Sequence, residues 1–304
     1  MPAFISVIIC TYNRAALLQR ALRSLSGQTL DKKLFEIIVV DDGSHDNTGE
    51  VCEEMRGELP NLTYVSCGTN MGAPKARNRG VEEASGKYLL FTDDDCIPAV
   101  NWVERMGEAL EKEQIVAGAV ASTSENYLVL CHNIAQFHPF MPGKKAGFVE
   151  FIAGANMAFH RSVLKDLGGF VSKTGHADDM DIILRARLKG YRIFFAPDAL
   201  VTHVPDRSTL YGILKYSALH AATTIDLRNQ YRSLLNTPFI FKSPALILAA
   251  APLIALKVTS KIYLSNPELL RYICTAPLVY ALKLAWCWGA ADGLLKKNEA
   301  DQKR

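Results

Sequence analysis

Three acids stand side by side at Asp93, Asp94 and Asp95, directly after the strand-like run from Lys87 to Thr92. Adjacent carboxylates repel one another, and at the end of a buried strand each would also lose its hydration, at a cost on the order of several kcal/mol per unpaired ion. A divalent cation offsets both penalties. Hard cations such as Mg²⁺ and Mn²⁺ accept carboxylate oxygens and keep positions open for phosphate oxygens. The run therefore points to a metal–phosphate site, and the plain alternative is a solvated acidic turn. A second acidic group, Asp178, Asp179 and Asp181, precedes an apolar helical stretch from Ile182 to Leu188 that closes at Lys189-Gly190. Acids at a helix start are favoured by the helix dipole, which accounts for Asp181 without any chemistry.

The elements around these acids predict how they are held. Phe4 to Cys10 is a continuous apolar, β-branched run, the pattern of a strand buried on both faces, and Thr11-Tyr12-Asn13-Arg14 ends it. Leu17, Leu18, Ala21, Leu22 and Leu25 then recur at helical spacing. Phe35 to Val40 is a second buried strand running into the turn Asp41-Asp42-Gly43-Ser44, and a polar helix follows, capped near Asp46 to Thr48. Leu62 to Ser66 and Tyr88 to Thr92 read as further strands, with a glycine-led helix from Gly72 to Ala84 between them. This alternation predicts an α/β fold with a doubly wound, mostly parallel sheet flanked by helices. Ligands of such sheets bind beyond the carboxyl ends of the strands. Thr11 to Arg14, Asp41-Asp42 and Asp93 to Asp95 all fall there, and that convergence weighs against the solvated-turn alternative. Later segments are less regular: strands from Val116 to Ser122, Phe151 to Phe159, Arg192 to Ala196 and Leu200 to Val204, and a mobile loop from His132 to Lys145.

The bulk numbers narrow the class. The chain has 304 residues, 49% hydrophobic and 21% charged, with a net charge of +3. That is room for one sizeable α/β domain and an appendage, and too little charge to argue for nucleic acid as a partner. Seven scattered cysteines without a CxxC pair fit free thiols in a reducing compartment. The start, Met1 to Ile5, reads as the approach to a strand and not as a secretory signal. No Gly-x-Gly-x-x-Gly follows the first strand and no Gly-Lys-Ser/Thr element is present, which disfavours a dinucleotide dehydrogenase and a P-loop kinase.

Six motifs in order carry a resemblance. They are Ser6 to Arg14; Val39-Val40-Asp41-Asp42-Gly43-Ser44; Asn70-Met71-Gly72 leading to Ala76-Arg77-Asn78-x-Gly80; Asp93-Asp94-Asp95-x-x-Pro98; Gly154 to Phe159; and Asp178-Asp179 ahead of Arg185 and Gly190-Tyr191. Over roughly residues 4 to 205 the chain resembles the family 2 glycosyltransferases, which have a GT-A fold. The resemblance implies a UDP-, GDP- or dTDP-sugar donor, a divalent metal (Mn²⁺ or Mg²⁺) bridging its diphosphate, and inverting hexosyl transfer. By position it implies that Thr11, Tyr12, Asn13 and Arg14 line the nucleoside pocket, that Asp41 reads the base edge with help from Asp42, and that Arg77 lies near the nucleotide. The DxD element falls on Asp93 and Asp95: Asp95 as direct metal ligand, Asp93 nearer the ribose and metal waters, with Asp94 an alternative register on the donor side. His203 aligns with a histidine that binds the metal in some members. The family's Glu-Asp pair reads Asp178-Asp179 here, so Asp179 matches the general base and Asp178 the supporting acid. Gly154, Asn156 and Arg185 fall on the acceptor side. His160 stands where arginine is commoner and receives no role, and His176 is a loop residue ahead of the acidic pair.

Residues 206–304 form a helical, apolar region. Pro238 to Leu256 and Tyr272 to Ala291 are each about long enough to cross a bilayer, yet Lys242, Lys283, Pro244, Pro252 and Pro277 interrupt them. A spanning hairpin would put Lys257, Lys261 and Arg271 in its outer loop, against the positive-inside tendency. Helices lying in the membrane interface account better for the Lys, Tyr and Trp residues; a spanning hairpin and a soluble helical interface stay open. This predicts an enzyme on the cytoplasmic, inner face of the cell membrane, acting in envelope polysaccharide synthesis on a lipid-linked or polysaccharide acceptor. A nucleotidyltransferase would want a glycine-rich basic loop where Thr11 to Arg14 stands, and a non-catalytic GT-A module would have lost Asp93, Asp95 and Asp179. No Gln-x-x-Arg-Trp element follows residue 205, which leans toward single additions.

Overall fold

The computed structural model describes residues 4–123, 125–171, 177–207 and 209–302, so His176 lies outside the described residues. The chain divides into two compact units, Met1–Ala121 with Phe140–Asp206, and Ser122–Pro139 with Arg207–Arg304. In chain order the first unit opens with β1 (Ile5–Thr11), α1 (Ala15–Ser26), β2 (Phe35–Asp41), α2 (Thr48–Met55), β3 (Leu62–Ser66), α3 (Ala73–Glu83) and β4 (Tyr88–Asp93). It continues with β5 (Cys96–Pro98), α4 (Trp102–Leu110) and β6 (Ile115–Ser122). The second unit contributes α5 (Tyr127–Phe137), and the first resumes with β7 (Gly147–Val149), β8 (Asn156–His160), α6 (Arg161–Leu167), α7 (Asp178–Leu188) and β9 (Ile193–His203). The second unit is completed by α8 (Leu210–Gln230), α9 (Arg232–Leu235), α10 (Pro244–Leu264) and α11 (Ala276–Gln302).

Among the described residues the strands form one sheet in the order β3-β2-β1-β4-β8-β6-β9-β5, with β7 on β9. The β3-β2-β1-β4 block is parallel. Beyond β4 the pairing of β8, β6, β9, β5 and β7 turns antiparallel wherever the register is defined. Val7, Ile9, Ile37, Val39 and Leu89 are wholly buried, as the unbroken apolar runs predict for strands covered on both faces. Helix α3 packs on β1 and β2, and its glycine is a matter of clearance: a Cβ on Gly80 would lie 2.5 Å from Ile8 Cγ2 and 3.2 Å from Val40 Cγ2. On α1, Leu18, Ala21, Leu22 and Leu25 are fully buried, each leucine contributing about 1.5–3 kcal/mol.

Several elements differ from the sequence expectation, among them the strand expected from Phe151 to Phe159, which spans Asn156–His160. The loop expected from His132 to Lys145 begins as helix α5, whose N-terminus is capped by Asn126 accepting from Leu128 N at 2.9 Å and Val129 N at 3.2 Å. Its apolar run continues the helix until Pro139, Pro142 and Gly143 stop it. The strands expected on either side of Pro197 are one strand, β9; Pro197 falls between the residues paired to β7 and those paired to β5.

In the helical unit α11 packs on α8 and α10 around Ala221, Ile225, Ile247, Ala251, Cys287, Ala290 and Leu294. The approach is close enough that a Cβ on Gly289 would fall 2.1 Å from Ala218 O, and one on Gly293 2.8 Å from Ala222 Cα. Small residues at such contacts bring helix backbones together. The first apolar helix starts later than the hydropathy alone predicts, because Ser243 caps it and Pro244 takes its first position. The segments Pro244–Leu264 and Pro267–Glu299 are long and apolar enough to cross a membrane, with mean hydropathies of 1.7 and 1.3, although 28% and 33% of their most apolar windows are buried.

Candidate active site

Strand register assembles the site. Parallel pairing sets Thr11 opposite Asp41 and Cys10 opposite Asp93, so β1, β2 and β4 end at one edge. Antiparallel pairing sets Asn156 opposite Thr92, which brings the turn at Gly154 beside the acidic run. Cys96 of β5 pairs with His203 of β9, and this delivers His203 Nε2 to 3.4 Å from Asp95 Oδ1.

The three adjacent acids have different surroundings. Asp94 is buried and turned inward, accepting from Thr11 Oγ1 at 2.8 Å and Arg14 Nη1 at 3.1 Å. Burial pushes its carboxyl up to about 7 against the pull of Arg14. Asp95 faces His203 and lies 3.4 Å from Arg14 Nη1. Asp93 is the open one, its side chain 38% exposed, with Arg77 Nη2 at 3.2 Å. Partial loss of hydration raises its carboxyl too; Arg77 opposes and Asp95 adds to the rise. The edge thus holds a carboxylate–imidazole pair with a further, more exposed carboxylate, the donor chemistry that suits Mn²⁺ or Mg²⁺. Among the described residues no three His, Cys, Asp or Glu side chains are gathered into a ready-made cage. The arrangement fits a cation that completes its shell with substrate phosphates and water.

Arg77 links this edge to the second acidic group. One guanidinium nitrogen donates to Asp93 and another to Asp178, while its face lies over the Phe170 ring at 5.8 Å. Asp178 and Asp179 open α7. Asp179 accepts from Gly154 N at 3.0 Å and Met180 N at 2.7 Å. A Cβ on Gly154 would sit 3.0 Å from the same carboxylate oxygen, so glycine is what lets the turn approach. Burial, and then the neighbouring Asp178, push Asp179 up to about 6, with Arg77 and the two N–H groups opposing. A half-buried carboxylate titrating near neutrality can take a proton from a hydroxyl.

Other predicted residues make hydrogen bonds within the protein. Asp42 spends both oxygens on Met71 N at 2.7 Å and Gly72 N at 2.9 Å. Asp41 anchors its own turn through Ser44 N at 2.8 Å and meets Tyr64 Oη at 2.6 Å. Asn156 is fully buried: Trp102 Nε1 donates to it at 2.8 Å, and it donates to Ala119 O at 2.7 Å and Ala199 O at 2.9 Å. Arg185 bonds Asp181 at 2.7 Å and the carbonyls of Leu167 and Gly169. Among the expected site residues, Asp42, Asp94, Asn156 and Arg185 thus have their polar groups engaged within the protein. Asn13 joins two loops, donating its N–H to Ser44 Oγ at 2.8 Å and accepting from His45 N at 2.7 Å at a left-handed φ of 53°. Tyr12 beside it is 41% exposed. His160 bonds Leu110 O and is structural.

Tyr64 and Cys10 belong to the site without any signal in the sequence. Tyr64 arrives through the pairing of β3 with β2. Cys10 lies among Arg77, Asp93 and Asp178, and burial raises its thiol.

The comparisons with known proteins agree with this geometry. The profile of Glycosyl transferase family 2 matches residues 6–168, and that of Glycosyl transferase family group 2 matches residues 92–288. Glycosyltransferase AglE of Haloferax volcanii is 30% identical over 202 residues, 66% of this chain and 66% of that protein. The poly(ribitol-phosphate) beta-N-acetylglucosaminyltransferase TarS of Staphylococcus aureus is 42% identical over 91 residues, 30% of this chain but 16% of TarS. Among solved structures, the mannosyltransferase PcManGT from Pyrobaculum calidifontis, in complex with GDP-Man and Mn²⁺, superposes with a TM-score of 0.67 at 22% identity, over 98% of this chain and 88% of that one. S. aureus TarS 1–349 in complex with UDP-GlcNAc gives 0.56 at 19% identity, over 98% and 92%. The chain belongs to glycosyl transferase family 2, and it is a glycosyltransferase with a GT-A fold.

Proposed function

We propose that this enzyme carries out inverting, metal-dependent transfer of a sugar from a nucleotide-sugar donor to a hydroxyl of a lipid-linked or polysaccharide acceptor at the cytoplasmic face of the cell membrane. The observation that carries this reading is the Arg77 bridge, which holds the Asp93–Asp95 edge and the Asp178–Asp179 pair in one site. The donor complexes of PcManGT and TarS, with GDP-Man and UDP-GlcNAc, support a nucleotide sugar as donor and leave the base open.

Tyr12, Asn13 and Arg14 stand at the mouth of the nucleoside side, with Asp41 and Tyr64 behind them. Asp95, His203 and Asp93 are the residues that would hold Mn²⁺ or Mg²⁺, which when bound would neutralise charge developing on the departing nucleoside diphosphate. On the acceptor side Asp179 takes the hydroxyl proton as the acceptor oxygen bonds to the anomeric carbon. The bond from that carbon to the phosphate oxygen breaks on the opposite face, and its electron pair leaves with the diphosphate. Asp178 raises Asp179 as a like charge, and Arg77, paired with Asp178, offsets part of that rise.

The membrane part rests on the outer face of α10. Leu246, Leu253 and Leu256 are 44%, 71% and 56% exposed, while Ile247, Ala251 and Ala255 on the other face are buried. Exposed Lys257, Lys261 and Arg271 follow. An apolar face bordered by lysine, arginine, Tyr272 and Trp288 suits a helix lying in the headgroup region.

Asp179→Asn tests the chemistry. Sugar transfer should fall by about 10²–10⁴-fold, the span of a lost general base, while nucleotide binding followed by calorimetry stays at the wild-type level. Transfer that survives the substitution would remove Asp179 from the mechanism. The configuration of the product, read by NMR, tests inversion separately.

A further inference from the structure

The helical unit holds a cluster of cations that the proposed reaction does not use. Arg228, near the end of α8, has its guanidinium 5.6 Å from the Trp286 ring centre. Its Nε is sealed from solvent without a hydrogen-bond partner. Arg232, one turn on, lies 5.5 Å from the Phe239 ring and also has a sealed, unpartnered nitrogen, Nη1. Lys242 Nζ lies 5.8 Å from the same Phe239 ring. Lys283 stands one helical turn before Trp286 on α11 and meets only a carbonyl, Ala135 O, at 2.8 Å. Burial and the nearby Arg228 push Lys283 down to about 8, and no carboxylate counters either.

The segment carrying these groups is tied together. Asn229 Nδ2 donates to Phe241 O at 2.9 Å, and Phe241 meets Trp286 edge-on at 6.0 Å. Acids on the same helices are engaged elsewhere: Asp226 with Lys297 at 3.1 Å, and Asp292 with Lys296 at 2.6 Å. Among the described residues none of the four cations has an ion pair with a carboxylate.

Sealing guanidinium nitrogens from water without a partner is costly. Aromatic faces recover only a part of that cost. A fold that keeps two arginines with sealed, unpartnered nitrogens, together with Lys283 and exposed Lys242, is completed by an anion with several acceptor oxygens. Arginine forks match phosphate oxygens in geometry, and lysine adds point charge.

We infer that Arg228 on the Trp286 ring, Arg232 and Lys242 on the Phe239 ring, and Lys283 beside Arg228 form a phosphate-binding site in the helical unit. Its ligand is a phosphate group, borne by an anionic lipid or free in solution. The apolar exposure of Phe239, at 67%, beside these cations is what a headgroup site at a membrane surface presents. The site stands independently of the sugar-transfer reading, because none of its residues belongs to the Asp93–Asp179 centre.

The test is thermal unfolding of the full chain with inorganic phosphate and, in parallel, with soluble dihexanoyl phosphatidate. The wild type should be stabilised, and Arg228→Met and Lys283→Met should weaken the apparent affinity at least tenfold while melting no lower than wild type without ligand. Phosphatidate alone active would assign the lipid headgroup; both active would assign the phosphate group itself. Lys242→Met, at an exposed position, should also weaken the response and carries no folding risk. Equal responses in wild type and all three variants, or no response in the wild type, would overturn the site. GDP and UDP titrations of the same variants should match wild type, which keeps a failure here apart from a failure at the catalytic centre.

Discussion

The two units handle buried charge in opposite ways. At the sheet edge of the first, Asp94 is met by Thr11 and Arg14, Asp93 and Asp178 share Arg77, and Asp179 rests on two backbone N–H groups. In the helical unit Arg228, Arg232, Lys242 and Lys283 lean on aromatic rings and a carbonyl, with no carboxylate opposite. The first pattern fixes carboxylates in place before substrate arrives, which spares reorganisation in the reaction. The second leaves positive charge uncompensated until something anionic comes.

The contrast can be broken at its strongest point by Asp179→Asn, with the 10²–10⁴-fold loss of transfer, about the general-base range, and intact nucleotide binding given above. Next in size is Arg77→Leu. It strips the cation from Asp178 and Asp93 together, so chemical denaturation should show a loss of about 3–5 kcal/mol, the usual cost of leaving a buried charge unpaired, and transfer should fail with it. Asn156→Ala orphans Trp102 Nε1 and the carbonyls of Ala119 and Ala199; the loss should be about 2–4 kcal/mol, at about 1–3 kcal/mol per unsatisfied group with partial relaxation. Because Asn156 contacts no reacting group here, the kcat of the protein that remains folded should change little.

Acid pH sharpens the role of Asp179. Its carboxyl is pushed up to about 6, so it is a competent base above that pH and protonated below it. The rate should fall about tenfold per pH unit below 6. The folded chain holds this proton more tightly than the unfolded one, so the group's contribution to stability is present at low pH and is lost as pH rises from about 4 through 6. Removing charge in the other unit should have the opposite sign to Arg77→Leu: Arg228→Met should leave the unliganded melting temperature unchanged or slightly higher. Leu253→Glu with Leu256→Glu should abolish co-flotation with anionic vesicles and spare nucleotide binding, which would place the membrane contact on α10.

Much of the first unit was legible in the sequence because parallel strands buried on both faces read as unbroken apolar runs, and their polar ends mark the ligand edge. The neighbourhood of Thr11, Arg14, Asp93 and Asp95 follows from that alone. The roles within Asp93-Asp94-Asp95 do not, because identical acids are told apart only by the direction each side chain takes once β4 pairs with β1 and β8. The family resemblance put Asn156 and Arg185 on the acceptor side; that their polar groups bond Trp102 and the Leu167–Gly169 turn is set by tertiary packing, which no motif shows. Helix α5 was hidden by the proline and glycine residues just beyond it. The cation cluster was illegible for a different reason: a lysine or arginine in an apolar stretch reads the same whether or not an acid lies opposite.

Calorimetric titration of the full chain with UDP, GDP and dTDP, each with and without Mn²⁺, tests the central claim most directly. One nucleotide binding tightly only when Mn²⁺ is present, with that dependence lost in Asp95→Ala, is the result predicted. Binding of none of them, or binding indifferent to both the metal and Asp95, would contradict a metal-dependent nucleotide-sugar transferase.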